Sequence, residues 1–134
     1  MMSEHLEAKI GQYALIKNSE NKILILERSR SKKWCLPGGR LNKDEDWKEA
    51  FSREIKEEIG AEVTNPKPFD IKIITDPYQI KYCVYFTVEA DHLSQLKISD
   101  EHSGLKWINT EGLVGLTFGD PEDKDVLVKF FQSQ

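Results

Sequence analysis

Cysteine is scarce in this chain: Cys35 and Cys83 are the only 2 in 134 residues. They lie far apart and match neither a metal-site nor a redox spacing. This argues against a disulfide scaffold and leaves two buried free thiols in a reducing compartment as the expectation. No stretch of about 18 apolar residues occurs, so a membrane-spanning helix is excluded. A charged, apolar and cleavable leader is also missing, and the expected setting is cytoplasmic with no membrane partner. Positive charge is not in excess: 19 Lys and Arg stand against 23 Asp and Glu, a net charge of −4. That balance argues against a nucleic-acid groove. It leaves a nucleotide open as ligand, because a bound metal ion inverts the local field that an anion meets. No internal repeat, linker or second domain is visible. With 39% hydrophobic and 31% charged residues, the chain fits one folded domain over residues 1–134, as a monomer or a homodimer.

The informative stretch runs from Gly39 to Ala61, GRLNKDEDWKEAFSREIKEEIGA. Within it Trp47, Ala50, Phe51, Ile55 and Ile59 recur at three- and four-residue steps, which predicts a helix with one apolar stripe facing a core. Asn42 with Glu45, and Asp46 with Glu49, each fit a capping box, so the helix starts within 42–46. Gly60 supplies the stop, since a residue without a Cβ takes the left-handed position after a helix without strain.

Glu54, Glu57 and Glu58 are related by i, i+3 and i+4, which gathers three carboxylates at the margin of that stripe. Like charges at this spacing repel, and at the C-terminal half of a helix the macrodipole disfavours them further. A hard divalent cation, Mg²⁺ or Mn²⁺, removes both penalties and keeps waters for a phosphate ligand. The alternative at this point is a solvated acidic face balanced by Lys48, Arg53 and Lys56.

The spacing upstream favours the cation. Gly39, five residues, Glu45, seven residues, then Arg53-Glu54-Ile55-x-Glu57-Glu58-x-Gly60-Ala61 resembles at every specified position the box of the Nudix hydrolases. Ala61 is a small member of the aliphatic class at the last position. The preceding Trp34-Cys35-Leu36-Pro37-Gly38-Gly39 is similar to the lead-in of the same family. The resemblance, to MutT-like nucleotide pyrophosphohydrolases, is specific over 34–61. It implies an α/β fold, an α/β/α sandwich with a mixed β-sheet between helices. The implied activity is metal-dependent hydrolysis of a diphosphate bond in a nucleoside diphosphate derivative or nucleoside triphosphate.

Carried over by position, the resemblance implies Glu57 and Glu58 as metal ligands, Gly38 as a carbonyl donor, and Glu54 as ligand or base. Glu45 and Arg53 are implied as a supporting pair. A further acid, ligand or base, usually precedes a late strand, and Glu101 in Asp100-Glu101-His102 is the candidate. His102 reads as a surface loop histidine, with its near-neutral pKa making it an alternative base. Tyr78 and Tyr85 are candidates for stacking on a base, and Arg28, in the basic loop up to Lys33, for meeting a phosphate. Pro77 and Tyr78 resemble the ADP-ribose and dinucleoside-polyphosphate types respectively, so the substrate stays open. Two other readings remain: a nucleotide-binding module without turnover, and an isoprenyl diphosphate isomerase. The second would want Cys, Glu and His ligands outside the box, and Cys83 alone does not make that case.

Around this core, 8–17 and 22–28 read as two central strands, a hairpin or neighbours, parted by the turn-prone 18–21. In the strong strand 78–90, Ile80, Tyr82, Val84, Phe86 and Val88 share a face and are expected to be its dry side. Leu105–Asn109 reads as a short strand, Thr110 as the cap of a helical turn over 111–116, and Asp120-Pro121 as the start of a last helix with Val126, Leu127, Phe130 and Phe131 on its apolar side.

Overall fold

The helix expected from the box forms over Trp47–Ile59 (α1) in the computed structural model, which describes residues 4–134. Asp46 caps it, accepting the Glu49 N–H at 3.0 Å, and Gly60 closes it at φ 76°. The Asn42–Glu45 pair caps no helix but closes the preceding loop, where the Asn42 N–H donates to Glu45 Oε1 at 2.8 Å. Ala50, Phe51, Ile55 and Ile59 are buried, each of the larger three contributing roughly 1.5–3 kcal/mol by leaving water. Trp47 begins the stripe but stays 40% exposed, its indole stacked on Phe86 at 5.2 Å.

The strands are β1 (Lys9–Leu15), β2 (Ile23–Arg28), β3 (Trp34–Cys35), β4 (Gly38–Arg40), β5 (Glu62–Thr75), β6 (Ile80–Asp91) and β7 (His102–Ile108); a second helix, α2, spans Pro121–Gln132. They form a mixed sheet of order β4-β1-β6-β5 and an antiparallel sheet of order β3-β2-β7. In the first, β1 runs parallel to β6 and antiparallel to β4.

Two apolar layers follow from the period-2 alternation of β1 and β2. Tyr13, Leu15, Ile23 and Ile25 join Cys83, Tyr85, Val126, Leu127 and Phe130 on the α2 side. Ala14, Ile16, Leu24 and Leu26 join Phe51, Ile55, Ile59 and Phe86 on the α1 side. Strands covered on both faces read as continuous apolar runs, which is how 10–16 and 23–26 read. The expected sandwich is therefore present.

Three local expectations are corrected. First, β1 and β2 do not pair as a hairpin. The turn forms, with the Asn18 side chain accepting from the Glu20 and Lys22 N–H groups at 3.0 Å, but only the Lys17–Ile23 bridge joins the strands. Both edges of each strand are already taken, by β4 and β6 for β1 and by β3 and β7 for β2. Both are central, as expected.

Second, the driest alternate set in β6 is Lys81, Cys83 and Tyr85, whereas of the expected face Phe86 is buried but Ile80, Tyr82, Val84 and Val88 are half-buried. The α2 layer covers the first set, and Lys81 tolerates burial because its Nζ lies 3.0 Å from Asp120 Oδ2. Third, Thr110 makes no side-chain cap; Asn109 Oδ1 accepts the Gly112 N–H at 3.1 Å instead.

Candidate active site

The C-terminal end of α1 leaves carbonyls without intrahelical partners. The segment before β7 takes them up: the Lys97 N–H donates to Ile59 O at 3.0 Å and the Ser99 N–H to Glu58 O at 2.9 Å. This fastening brings Glu101 to the acidic helix face. Ser29 holds the same segment from the other side, its N–H donating to Glu101 O and its hydroxyl to Asp100 O, both at 2.9 Å.

The result is a cavity of about 440 Å³ lined by Gly38, Gly39, Glu54, Glu57, Glu58, Ser99 and Glu101. Gly38, Glu54, Glu57, Glu58 and Glu101, which the resemblance nominated as metal or catalytic groups, are all on this wall, and His102, the alternative base, is not. Two glycines let the β4 backbone reach it. A side chain at Gly38, at φ 145°, would collide with the Gln12 carbonyl and stand 2.8 Å from Tyr13 Cα. A Cβ on Gly39 would stand 2.6 Å from Glu54 Oε2, so glycine there makes room for a carboxylate.

The carboxylates differ in environment. Glu57 and Glu101 are exposed. The Glu58 side chain is 11% exposed, with the Gly38 N–H donating to its Oε1 at 3.4 Å. Burial pushes the Glu58 carboxyl up to about 8; the Gly38 N–H pulls the other way, and the charges of Glu101 and Glu54 add to the rise. Glu54 is also held above its ordinary range, by burial first and then by the charge of Glu45. Among the described residues no three His, Cys, Asp or Glu side chains stand close enough together to hold a metal ion as they are placed. An open set of carboxylates around a cavity suits Mg²⁺, which binds through a few carboxylates and keeps its waters.

Arg53 and Glu45 form the supporting pair: Arg53 Nη2 lies 2.6 Å from Glu45 Oε2. Arg28 lines a neighbouring cavity with Ser29, Arg30, Ser31, Asp100 and Glu101, so it reaches the edge of the site. Tyr78 is 95% exposed in the turn between β5 and β6 and lines neither cavity.

Tyr85 is corrected as a base-stacking candidate. It is fully buried, and its hydroxyl donates to Asp123 Oδ1 at 2.6 Å. The alternating pattern of β6 did not flag it, because which of the two faces is driest depends on where α2 packs, and α2 covers the face of Cys83 and Tyr85.

His102 is not a surface loop residue. It opens β7, its side chain is 7% exposed, and Nε2 lies 3.8 Å from Glu58 Oε1 and 3.7 Å from Cys35 Sγ. Burial holds its pKa below the ordinary histidine value, with Glu101 pulling it up and Arg28 pushing it down. Sequence spacing carried no signal for this, since the pairing of β2 with β3 and β7 brings Cys35 and His102 together and the bonds from Lys97 and Ser99 to the end of α1 bring Glu58.

Comparison with known proteins agrees with this geometry. A family model described as NUDIX domain matches residues 8–130. The chain is 26% identical over 117 residues to an uncharacterized Nudix hydrolase, YvcI, of Bacillus subtilis (strain 168), covering 83% of this chain and 74% of that protein. It is 31% identical over 91 residues to nucleoside triphosphatase NudI of an Escherichia coli strain, a match covering 60% of this chain and 64% of that one. Among solved structures, the MutT protein from Methanosarcina mazei Go1 superimposes with a TM-score of 0.72 at 31% identity, covering 96% and 98% of the two chains. A NUDIX hydrolase from Nitrosomonas europaea shares the fold with a TM-score of 0.80 at 17% identity.

Proposed function

The chain belongs to the NUDIX family as a MutT-like Nudix hydrolase, and from that premise we propose that it uses Mg²⁺ or Mn²⁺ to hydrolyse a diphosphate bond in a nucleoside triphosphate or another nucleoside diphosphate derivative. The observation that carries this reading is the convergence of Glu54, Glu57, Glu58 and Glu101 on one cavity beside the bare backbone of Gly38 and Gly39. Family membership makes the protein a pyrophosphohydrolase; the metal and the substrate class are the finer steps.

Glu57, Glu58, Glu101 and the Gly38 carbonyl would hold the metal, with Glu54 beside them. When bound, the ion neutralises phosphate charge, lowers the pKa of a bound water and steadies the leaving oxygen. The donor set fits, being all oxygen, anionic and open to a substrate.

The protein's own part is positioning and proton handling, as phosphoryl chemistry demands. Glu54 takes the proton from the attacking water, and its raised pKa brings it nearer the operating range of a general base. The water oxygen bonds to phosphorus, the bridging P–O bond breaks, and the bond pair leaves with the departing phosphate. Arg53 and Glu45 hold the helix to its preceding loop, so the carboxylates keep their places. The polar rim with Arg28, Ser29 and Arg30 offers positive charge to the remaining phosphate oxygens.

NudI is named a nucleoside triphosphatase, which favours a nucleoside triphosphate as the first class to try. The test is phosphate release, coupled to pyrophosphatase and phosphatase, from nucleoside triphosphates, oxidised guanine nucleotides, ADP-ribose, nucleotide sugars and dinucleoside polyphosphates, with Mg²⁺ and with EDTA. One class turned over only with metal supports the reading and names the substrate. Nucleotide binding without hydrolysis of any class would make the domain a binding module instead.

A further inference from the structure

The Glu58 carboxylate has few partners for a buried acid. Its side chain is 11% exposed, and the hydrogen bond it receives from the Gly38 N–H is long, at 3.4 Å. The side chain facing it is His102, with Nε2 3.8 Å from Oε1. The imidazole is itself fixed. It is 7% exposed, its backbone N–H donates to Ser99 O at 3.1 Å, and Cys35 Sγ stands 3.7 Å from the same Nε2. Its other nitrogen, Nδ1, is buried with no hydrogen-bond partner among the described residues. A buried imidazole in water-poor surroundings costs free energy unless something returns it, and an unpaired ring nitrogen adds to that cost. Core packing alone would be served better by leucine.

We propose that His102 is a positioning residue for the metal site: its Nε2–H faces Glu58 and holds that carboxylate in the orientation from which it binds the cation. The inference rests on the reading that Glu58 is a metal ligand, and adds a residue outside the box to it. Three features carry it. The contact is made by Nε2, the nitrogen that stands 3.8 Å from a carboxylate on the cavity wall. Glu58 receives no side-chain hydrogen bond among the described contacts; the ring stands 3.8 Å away, so the carboxylate's torsion depends on this neighbour and on one long backbone bond. The ring is carried by β7, whose pairing with β2 brings His102 opposite Arg28 at a register shift. Residues that hold a ligand from behind typically change metal affinity by about 10–100-fold when removed.

The test is Mn²⁺ binding to the full chain, without nucleotide, by titration calorimetry, with melting temperature measured alongside. Glutamine places its amide nitrogen near the position of Nε2, and asparagine places it near that of Nδ1. His102→Gln is expected to bind Mn²⁺ within about threefold of the parent, whereas His102→Leu and His102→Asn weaken binding by about tenfold or more. His102→Leu is expected to melt no lower than the parent, because it removes a buried unpaired nitrogen. His102→Asn, closer in polarity, serves the comparison should the leucine variant fail to fold. Parent-like Mn²⁺ affinity in His102→Leu, or equal loss in the glutamine and asparagine variants, would overturn the proposal. Glu58→Gln separates the two layers. If that variant binds Mn²⁺ like the parent, the assignment of Glu58 as a ligand fails and takes this inference with it. If Glu58→Gln loses affinity and His102→Leu does not, only this inference fails.

Discussion

Arg53 Nη2 and Glu45 Oε2 meet at 2.6 Å, joining the middle of α1 to the loop that leads into it. The other carboxylate oxygen of Glu45 accepts the Asn42 N–H at 2.8 Å, so one side chain ties helix and loop together. The pair stands outside the acidic cavity. Half-exposed Arg53 lowers what the contact is worth, to about 1 kcal/mol.

Glu45→Gln is accordingly expected to lower the melting temperature by about 3 °C while leaving kcat within about threefold. Differential scanning calorimetry and steady-state kinetics on one preparation check this. Unchanged melting with lost turnover would move Glu45 from support to chemistry.

Gly39→Ala probes the cavity from the opposite wall. The added methyl would stand 2.6 Å from Glu54 Oε2, and the carboxylate, the far end of a flexible side chain, must swing away. A displacement of about 1 Å at a catalytic group costs on the order of 100-fold in rate. The expected result is a fall of that size in kcat with a melting temperature close to the parent's. Full activity in the alanine variant would show that the position of Glu54 is not required.

Much of this local architecture was legible because it is encoded at short range. The caps at Asp46 and Gly60 and the stripe Trp47, Ala50, Phe51, Ile55 and Ile59 depend on residues within one or two turns, and all of the stripe but Trp47 is buried. The convergence of Glu54, Glu57 and Glu58 follows from helical spacing alone. Glu101 was placed by the resemblance, and the backbone bonds from Lys97 and Ser99 to the end of α1 explain its reach. Long-range packing was not legible. Which face of β6 is driest depends on where α2 lies, and that decision turned Tyr85 from a ligand candidate into a core residue bonded to Asp123. His102 looked like a loop residue because strand β7 begins three residues earlier than its apolar pattern does.

Asp123 carries a pH signature away from the catalytic cavity. Burial raises its carboxyl from 3.8 to about 7, with the Tyr85 hydrogen bond opposing and the Asp120 charge adding. A raised folded-state value means that the native protein binds this proton more tightly than the unfolded chain does. Its contribution to stability is therefore fully present below 3.8 and is lost as the pH rises toward about 7. Asp123→Asn keeps an oxygen to accept from Tyr85 and removes the charge. The variant is expected to show a flatter melting curve across that window and to exceed the parent by about 2 kcal/mol above it. Parallel melting-versus-pH curves for the two proteins would contradict this.

The most direct test of the metal-dependent site is turnover by Glu57→Gln across a Mg²⁺ titration, on the substrate class that the parent hydrolyses. Glutamine keeps the shape of the exposed side chain and removes one anionic donor from the cavity wall. The expected outcome is a loss of at least about 100-fold in kcat/KM at every Mg²⁺ concentration, with the melting temperature of the metal-free protein unchanged. Hydrolysis at the parent rate would mean that the carboxylates of α1 do not form the catalytic metal site.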